Sequence, residues 1–430
     1  MNAAARKYGA MGPRDLIVWG LGAVVMIVAP LLFGSSLAIT MLSQMGIAIV
    51  ACLSFNMLLG QGGMLSFGHA VYSGLGSFVA IHALNAIGKG SLPIPVSLLP
   101  LVGGIAGLGF AVLFGFVTTK KSGTTFAMIT LGIGELVFAA SLMIPEFFGG
   151  EAGVSSNRVV GKAVMGISFA PQIQVYYLLA LYTLICTAAM YAFTRTPLGR
   201  MLNAVRDNPE RVEFIGYDTQ RVRYISFIIA GFFAGVAGGM YALNFEIATA
   251  EVVGAGRSGA YLLFTFLGGA TFFFGPIIGA VLMVVAFVML SELTKAWLLY
   301  LGLAFMLMVM YAPGGIASLI MMNLRVAKFG KLSRLLRWYA LLAVTGALMF
   351  FSVAAIIEMI YHMQLNESMG PTMQFLGVGL NVKSAGSWVG AALVAAIGIA
   401  LFEMVRRRFA LRWGDVQGEI EAAIRAREAA

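Results

Sequence analysis

The sequence predicts an all-α polytopic membrane protein. Its 430 residues are 60% hydrophobic and only 11% charged, and the mean hydropathy of +0.92 is far outside the range of a water-soluble domain. Apolar runs long enough to cross a bilayer recur along the chain, and lysine and arginine gather in clusters between them.

A crossing helix needs about 20 apolar residues. On that rule the crossings fall at 15–33, 37–59, 66–87, 96–118, 124–144 and 172–193. Beyond a charged loop come 224–244, 258–272, 275–291 and 297–312, and two further runs, 338–361 and 388–405, follow a basic linker. The expected organisation is a core of about ten helices within residues 1–320, carrying a cytoplasmic loop at 194–224. Residues 321–430 add the linker, two extra C-terminal helices and a tail with a short helix. Arg6, Lys7 and Arg14 precede the first run as in a signal peptide, but the run is too long and lacks a small-residue cleavage pattern, so it is expected to stay as a span.

With the N-terminus inside, 22 of the 28 lysines and arginines fall on one side of the membrane. They comprise the N-terminal cluster, Lys120 and Lys121, and the groups at 194–224, 321–337 and after 405. The excess of cations in loops on one side predicts that both termini are cytoplasmic. The net charge of +10 therefore marks a membrane face in contact with lipid and not a nucleic-acid surface. Cys52 and Cys186 each lie in apolar runs without a partner, which argues against a disulfide or a metal site.

Two spans are irregular. The run 258–272 is only about 22 Å long as a helix and ends at Gly268 and Gly269. The second and third runs meet at G-Q-G-G-M-L-S-F-G-H, from Gly60 to His69. Broken backbone is tolerated at membrane depth only where protein or a water-filled path satisfies it. The pathway candidates are therefore Gly62, Gly63, Ser66, His69, Gly268 and Gly269. Paired glycines followed by an aromatic-glycine pair in both halves are also what an internal transporter repeat leaves behind.

Glu135 is the one acid near the middle of a predicted core span and joins that set, either facing a substrate path or bridging two helices. Glu292, Glu358 and Glu403 lie near span ends. The connection after Pro145 is long and rich in glycine, and suits a lid, a docking site for an external partner, or an ordinary connection. His69, His82 and His362 are dispersed, and neither a phosphate-binding G-x-x-x-x-G-K-[ST] loop nor a G-x-S-x-G elbow occurs. Enzyme activity, a metal and a cofactor bound by this chain are not expected.

Thr196 to Arg223 is the longest charged interval, with five arginines and four acids. Thr196 suits an N-cap and Pro197 the first helical position. Leu198, Met201, Leu202 and Val205 follow at helical spacing beside Arg200 and Arg206. Pro209 begins a second short helix, which Gly216 ends. The pattern suits a docking element on the membrane surface.

The stretch T-P-L-G-R-M-L-N-A-V-R-D-N-P-E-R-V-E-F-I-G-Y, with I-S-F-I-I-A-G-F-F-A-G-V-A-G-G-M-Y-A after it, resembles the cytoplasmic signature of branched-chain amino acid ABC transporter permeases, nearest to their M-type subunit. The runs beginning at Phe55, Phe126 and Met310 agree, and the resemblance covers about residues 40–320. It implies an ABC importer permease in a bacterial inner membrane. Its partners would be a second permease subunit, two cytoplasmic ATP-binding subunits that hold the ATP, and a periplasmic substrate-binding protein. The loop would be the ATPase-coupling element, with Leu198, Gly199, Arg200, Ala204, Arg206 and Asp207 at the interface. G-G-A-T-F-F-F-G-P from Gly268, the sequence Gly153-Val154-Ser155-Ser156 and the extension beyond 320 depart from the pattern. Urea, short amides or another small polar solute stay open as cargo, as does a solitary secondary transporter.

Overall fold

The computed structural model describes residues 13–160, 168–365 and 370–429; Arg6 and Lys7 of the N-terminal cluster lie outside them. The main helices are α1 (Pro13–Leu32), α2 (Ser36–Gly62), α3 (Ala70–Gly88), α4 (Leu99–Thr118), α5 (Gly123–Met143) and α6 (Gln172–Arg195). They continue as α7 (Pro197–Asp207), α8 (Pro209–Phe214), α9 (Thr219–Phe245), α10 (Ala255–Gly268) and α11 (Gly275–Val285). Last come α12 (Trp297–Tyr311), α13 (Gly315–Lys328), α14 (Leu332–Leu365) and α15 (Ala385–Ala429). Strand structure among the described residues is confined to two antiparallel pairs, β1 (Val154–Ser155) with β2 (Ile247–Ala248) and β3 (Thr372–Phe375) with β4 (Val378–Asn381).

The molecule is an all-α polytopic membrane protein. Among the described residues nine helices are long and apolar enough to cross a membrane, or ten if the bent pair α12 and α13 is one span. The expected crossing at 258–272 is the 14-residue α10, about 21 Å long and too short to span alone.

The chain divides into one unit of residues 1–289 and 305–317 and another of 290–304 and 318–430. In the first unit α9 is the central helix, and its packing depends on the absence of side chains. Gly231, Gly235 and Gly239 repeat every four residues on one face. That face meets Gly103, Gly107 and Ala111 of α4: a Cβ on Gly235 would collide with the Gly103 carbonyl oxygen, and one on Gly239 would lie 2.7 Å from Pro100 Cα. Lipid is as apolar as leucine, so close backbone approach between small residues is what holds such helices together. On the other side Gly238 rests against the Ser73 carbonyl of α3.

The long connection after α5 is pinned where it is described. β1 pairs with β2, and the Arg158 backbone N–H donates to Glu246 Oε1 at 2.6 Å. The guanidinium of Arg158 donates to the Phe169 carbonyl and to Gln172 Oε1, both at 2.9 Å, and to the Asn244 carbonyl at 3.2 Å.

In the second unit α14 and α15 run antiparallel, with Gly398 against Met349 and Gly346 against Phe402. The basic linker is helical, formed by α13, a turn at Gly330 (φ +68°) and the start of α14. Val326, Leu335, Val416 and Ile420 make a small core there, edged by Tyr339, Phe409 and Trp413. The expected short tail helix is instead the continuation of α15, one helix of 45 residues. Ion pairs from Glu403 to Arg406 and Arg407 and from Arg412 to Asp415, three or four residues apart, support it beyond the apolar stretch.

Candidate functional site

The charged loop folds as α7 and α8. Thr196 Oγ1 accepts the Gly199 N–H at 3.1 Å and Pro197 occupies the first turn, so the cap and the fixed φ of proline start α7 immediately after α6. Asn208 Oδ1 caps α8 by accepting the Arg211 N–H at 2.9 Å. Leu202 and Val205 are buried and Met201 and Leu198 half-buried, the apolar stripe that the spacing predicts.

Arg200, Ala204 and Asp207 are exposed on the opposite face. Two residues expected at an external surface make contacts within the subunit. Gly199 is buried where α7 crosses the end of α6, and a Cβ there would collide with the Phe193 carbonyl oxygen. Arg206, 36% exposed, folds back so that its guanidinium donates to the Gly60 carbonyl of α2 and to Asp207 Oδ1 at 2.9 Å. The cation thereby meets the carbonyl end of the α2 dipole, where positive charge is favoured.

Arg206 connects α7 to the first glycine break, and it is not alone. Asn203 Nδ2 donates to Gln61 Oε1 at 3.0 Å, and a Cβ on Gly62 would lie 3.1 Å from Leu202 Cδ1. Gly63, at φ +63°, ends α2: its N–H donates to the Leu59 carbonyl and the Met64 N–H to the Leu58 carbonyl, both at 2.9 Å. A Cβ on Gly60 would collide with the carbonyl oxygen of Ala270, the residue after Gly268 and Gly269. The two breaks therefore touch, and each has a glycine of positive φ closing the helix before it, Gly63 and Gly269 (φ +112°).

Ser66 and His69 are fully buried. His69 Nε2 bonds Ser54 Oγ at 2.9 Å and the ring lies edge-on to Phe55, a histidine packed between helices.

Glu135 lies apart from these residues. It is exposed on α5 and lines a cavity of about 550 Å³ with Phe138, Glu251, Arg257, Ala260 and Phe287. Glu251 lies in the turn before α10 and Arg257 in its first turn, and no local motif marks either. The signal for Arg257 is nevertheless present: it is one of the few cations outside the lysine and arginine clusters, as is Arg158.

The branched-chain amino acid transport system permease component family matches residues 37–313. The high-affinity branched-chain amino acid transport system permease protein LivM of Salmonella typhimurium is 27% identical over 302 residues, covering 65% of this chain and 70% of that protein. LivM of Escherichia coli is 26% identical over the same length and shares. The guanosine ABC transporter permease protein NupQ of Bacillus subtilis is 30% identical over 129 residues, 28% of this chain and 38% of that protein. No solved structure matches the chain. With the match spanning α2 to α12 and including the α7 loop and both glycine breaks, the chain belongs to the permease components of branched-chain amino acid transport systems.

Proposed function

We propose that this chain is the permease subunit of an ATP-driven importer for branched-chain or related aliphatic amino acids, and that α7 is its contact with a cytoplasmic ATPase. The observation that carries the coupling role is the division of α7 into two faces. Leu202, Asn203 and Arg206 grip the end of α2, while Arg200, Ala204 and Asp207 are left outside. Force applied to the outer face reaches the glycine breaks through residues already in contact. ATP is hydrolysed on the separate subunits, a periplasmic binding protein delivers cargo, and a second permease subunit completes the path.

Ala204→Trp tests the docking face, because it adds bulk at an exposed site and leaves the grip on α2 intact. The ATPase recovered with the solubilised permease should fall about tenfold, as expected when a contact worth about 1.4 kcal/mol is lost. Undiminished recovery would remove α7 from the interface.

The similarity to a guanosine permease favours a second cargo class, nucleosides. Uptake of leucine, valine, guanosine and urea by the reconstituted importer, with its cognate binding protein, separates the two readings and the smaller polar solutes.

A further inference from the structure

The cavity at Glu135 is lined by none of the residues assigned to coupling, and its chemistry is specific. Glu135 is eight residues from the end of α5, about 12 Å along the helix axis, so its exposed carboxylate stands at membrane depth. Among the described residues no ion pair neutralises Glu135, Glu251 or Arg257; the Arg257 guanidinium lies 5.2 Å from the Tyr241 ring centroid. Charge at membrane depth is too costly to face hydrocarbon, so this face of the subunit meets water, a polar ligand or the neighbouring permease subunit.

The signs are mixed, which suits neither a simple cation nor a simple anion. Arg257 is in the first turn of α10, whose N-cap, Gly254, supplies no side-chain cap, so the helix start adds amide donors to the guanidinium. Phe138, Ala260 and Phe287 supply apolar walls. Phe287 belongs to a π-helical turn, Ala286–Leu290, which interrupts the helix running on from α11, a feature frequent at functional sites. The volume is in the range of small-molecule sites.

We infer that this cavity is a binding station for a zwitterionic α-amino acid with an aliphatic side chain. The ligand carboxylate is held by Arg257 and the start of α10, its ammonium group by Glu251 and Glu135, and its side chain by Phe138 and Phe287. The inference rests on the amino-acid reading proposed above and adds the residues of this chain that select the cargo within the membrane.

The test uses the complete importer in proteoliposomes with its binding protein, measuring leucine taken up per ATP hydrolysed. Arg257→Gln and Glu251→Gln should each lower that ratio about tenfold, as expected when a contact worth about 1.4 kcal/mol is lost. Arg257→Lys should recover part of it. A ratio equal to the unsubstituted importer overturns the site, as does a proportional fall in uptake and hydrolysis together. If the unsubstituted importer moves no leucine, the amino-acid reading itself fails, whatever the variants do.

Ala255→Cys, which keeps every charge, provides a second measurement. Ala255 is exposed and lines the cavity, whereas the native Cys52 and Cys186 are buried. A membrane-impermeant thiol reagent should modify it in the assembled importer, and leucine-loaded binding protein should slow the reaction. An unreactive thiol, or one indifferent to leucine, overturns the inference.

Discussion

Arg206 shows how one residue can serve a site in a way its position in the chain does not reveal. On a helical wheel it lies beside the proposed docking face, but its guanidinium is spent on the Gly60 carbonyl and on Asp207. Arg206→Ala should leave ATPase recovery high, since Arg200 and Ala204 are untouched, while lowering uptake per ATP about tenfold; a loss of ATPase recovery instead would place Arg206 at the interface after all. Gly60 is the complementary case. A methyl group there meets both the Ala270 carbonyl and Asn56 Oδ1. Gly60→Ala should destabilise the solubilised protein by about 1–3 kcal/mol, the usual cost of overpacking, seen as a lower melting temperature. An unchanged melting temperature would mean that the two glycine breaks do not touch.

At the scale of elements, α7 is short and depends on its cap. Thr196→Ala removes the oxygen that accepts the Gly199 N–H and should cost about 1 kcal/mol, read as faster amide exchange in the first turn of α7 with α9 unaffected. The helical pair of the second unit should respond to pH. Hydrogen bonding from Lys331, together with the charges of Lys331 and Arg334, holds the Glu419 carboxyl below the usual carboxylate range. A carboxyl whose pKa is lower folded than unfolded stabilises the fold above the unfolded value, and that contribution disappears as pH falls through the folded one. Glu419→Gln should therefore lower the melting temperature slightly at neutral pH, and the difference from the unsubstituted chain should vanish in acid well below pH 4.5. The pair is exposed, so the effect is small.

For the whole molecule, the asymmetry of lysine and arginine predicts the orientation of every loop. Phe214→Cys, at a side chain 89% exposed beside α7, should be shielded from an impermeant thiol reagent in intact cells. Asn157→Cys, in the connection between α5 and α6, should react. The reverse pattern would invert the topology and put α7 on the wrong side for an ATPase. The same asymmetry was informative through its exceptions, because Arg158 anchors one connection and Arg257 lines the charged cavity.

By itself the sequence determined the helical class, the positions of most membrane crossings, the capped helix Pro197–Asp207 and the family. Each depends on local pattern: runs of apolar residues, caps, the 3.6-residue period and motif spacing. Tertiary structure alone decided that Gly199 is buried against the end of α6, that Arg206 bonds the Gly60 carbonyl, that His69 is packed against Ser54, that Gly60 meets Ala270, and that Glu135 shares a cavity with Glu251 and Arg257. These pairings join residues far apart in the chain, and helical period places a side chain on a face without saying which neighbour that face will meet. In a membrane the neighbour is chosen by how closely two backbones can approach, as along the glycine seam between α4 and α9, and that fit exists only once the helices are packed.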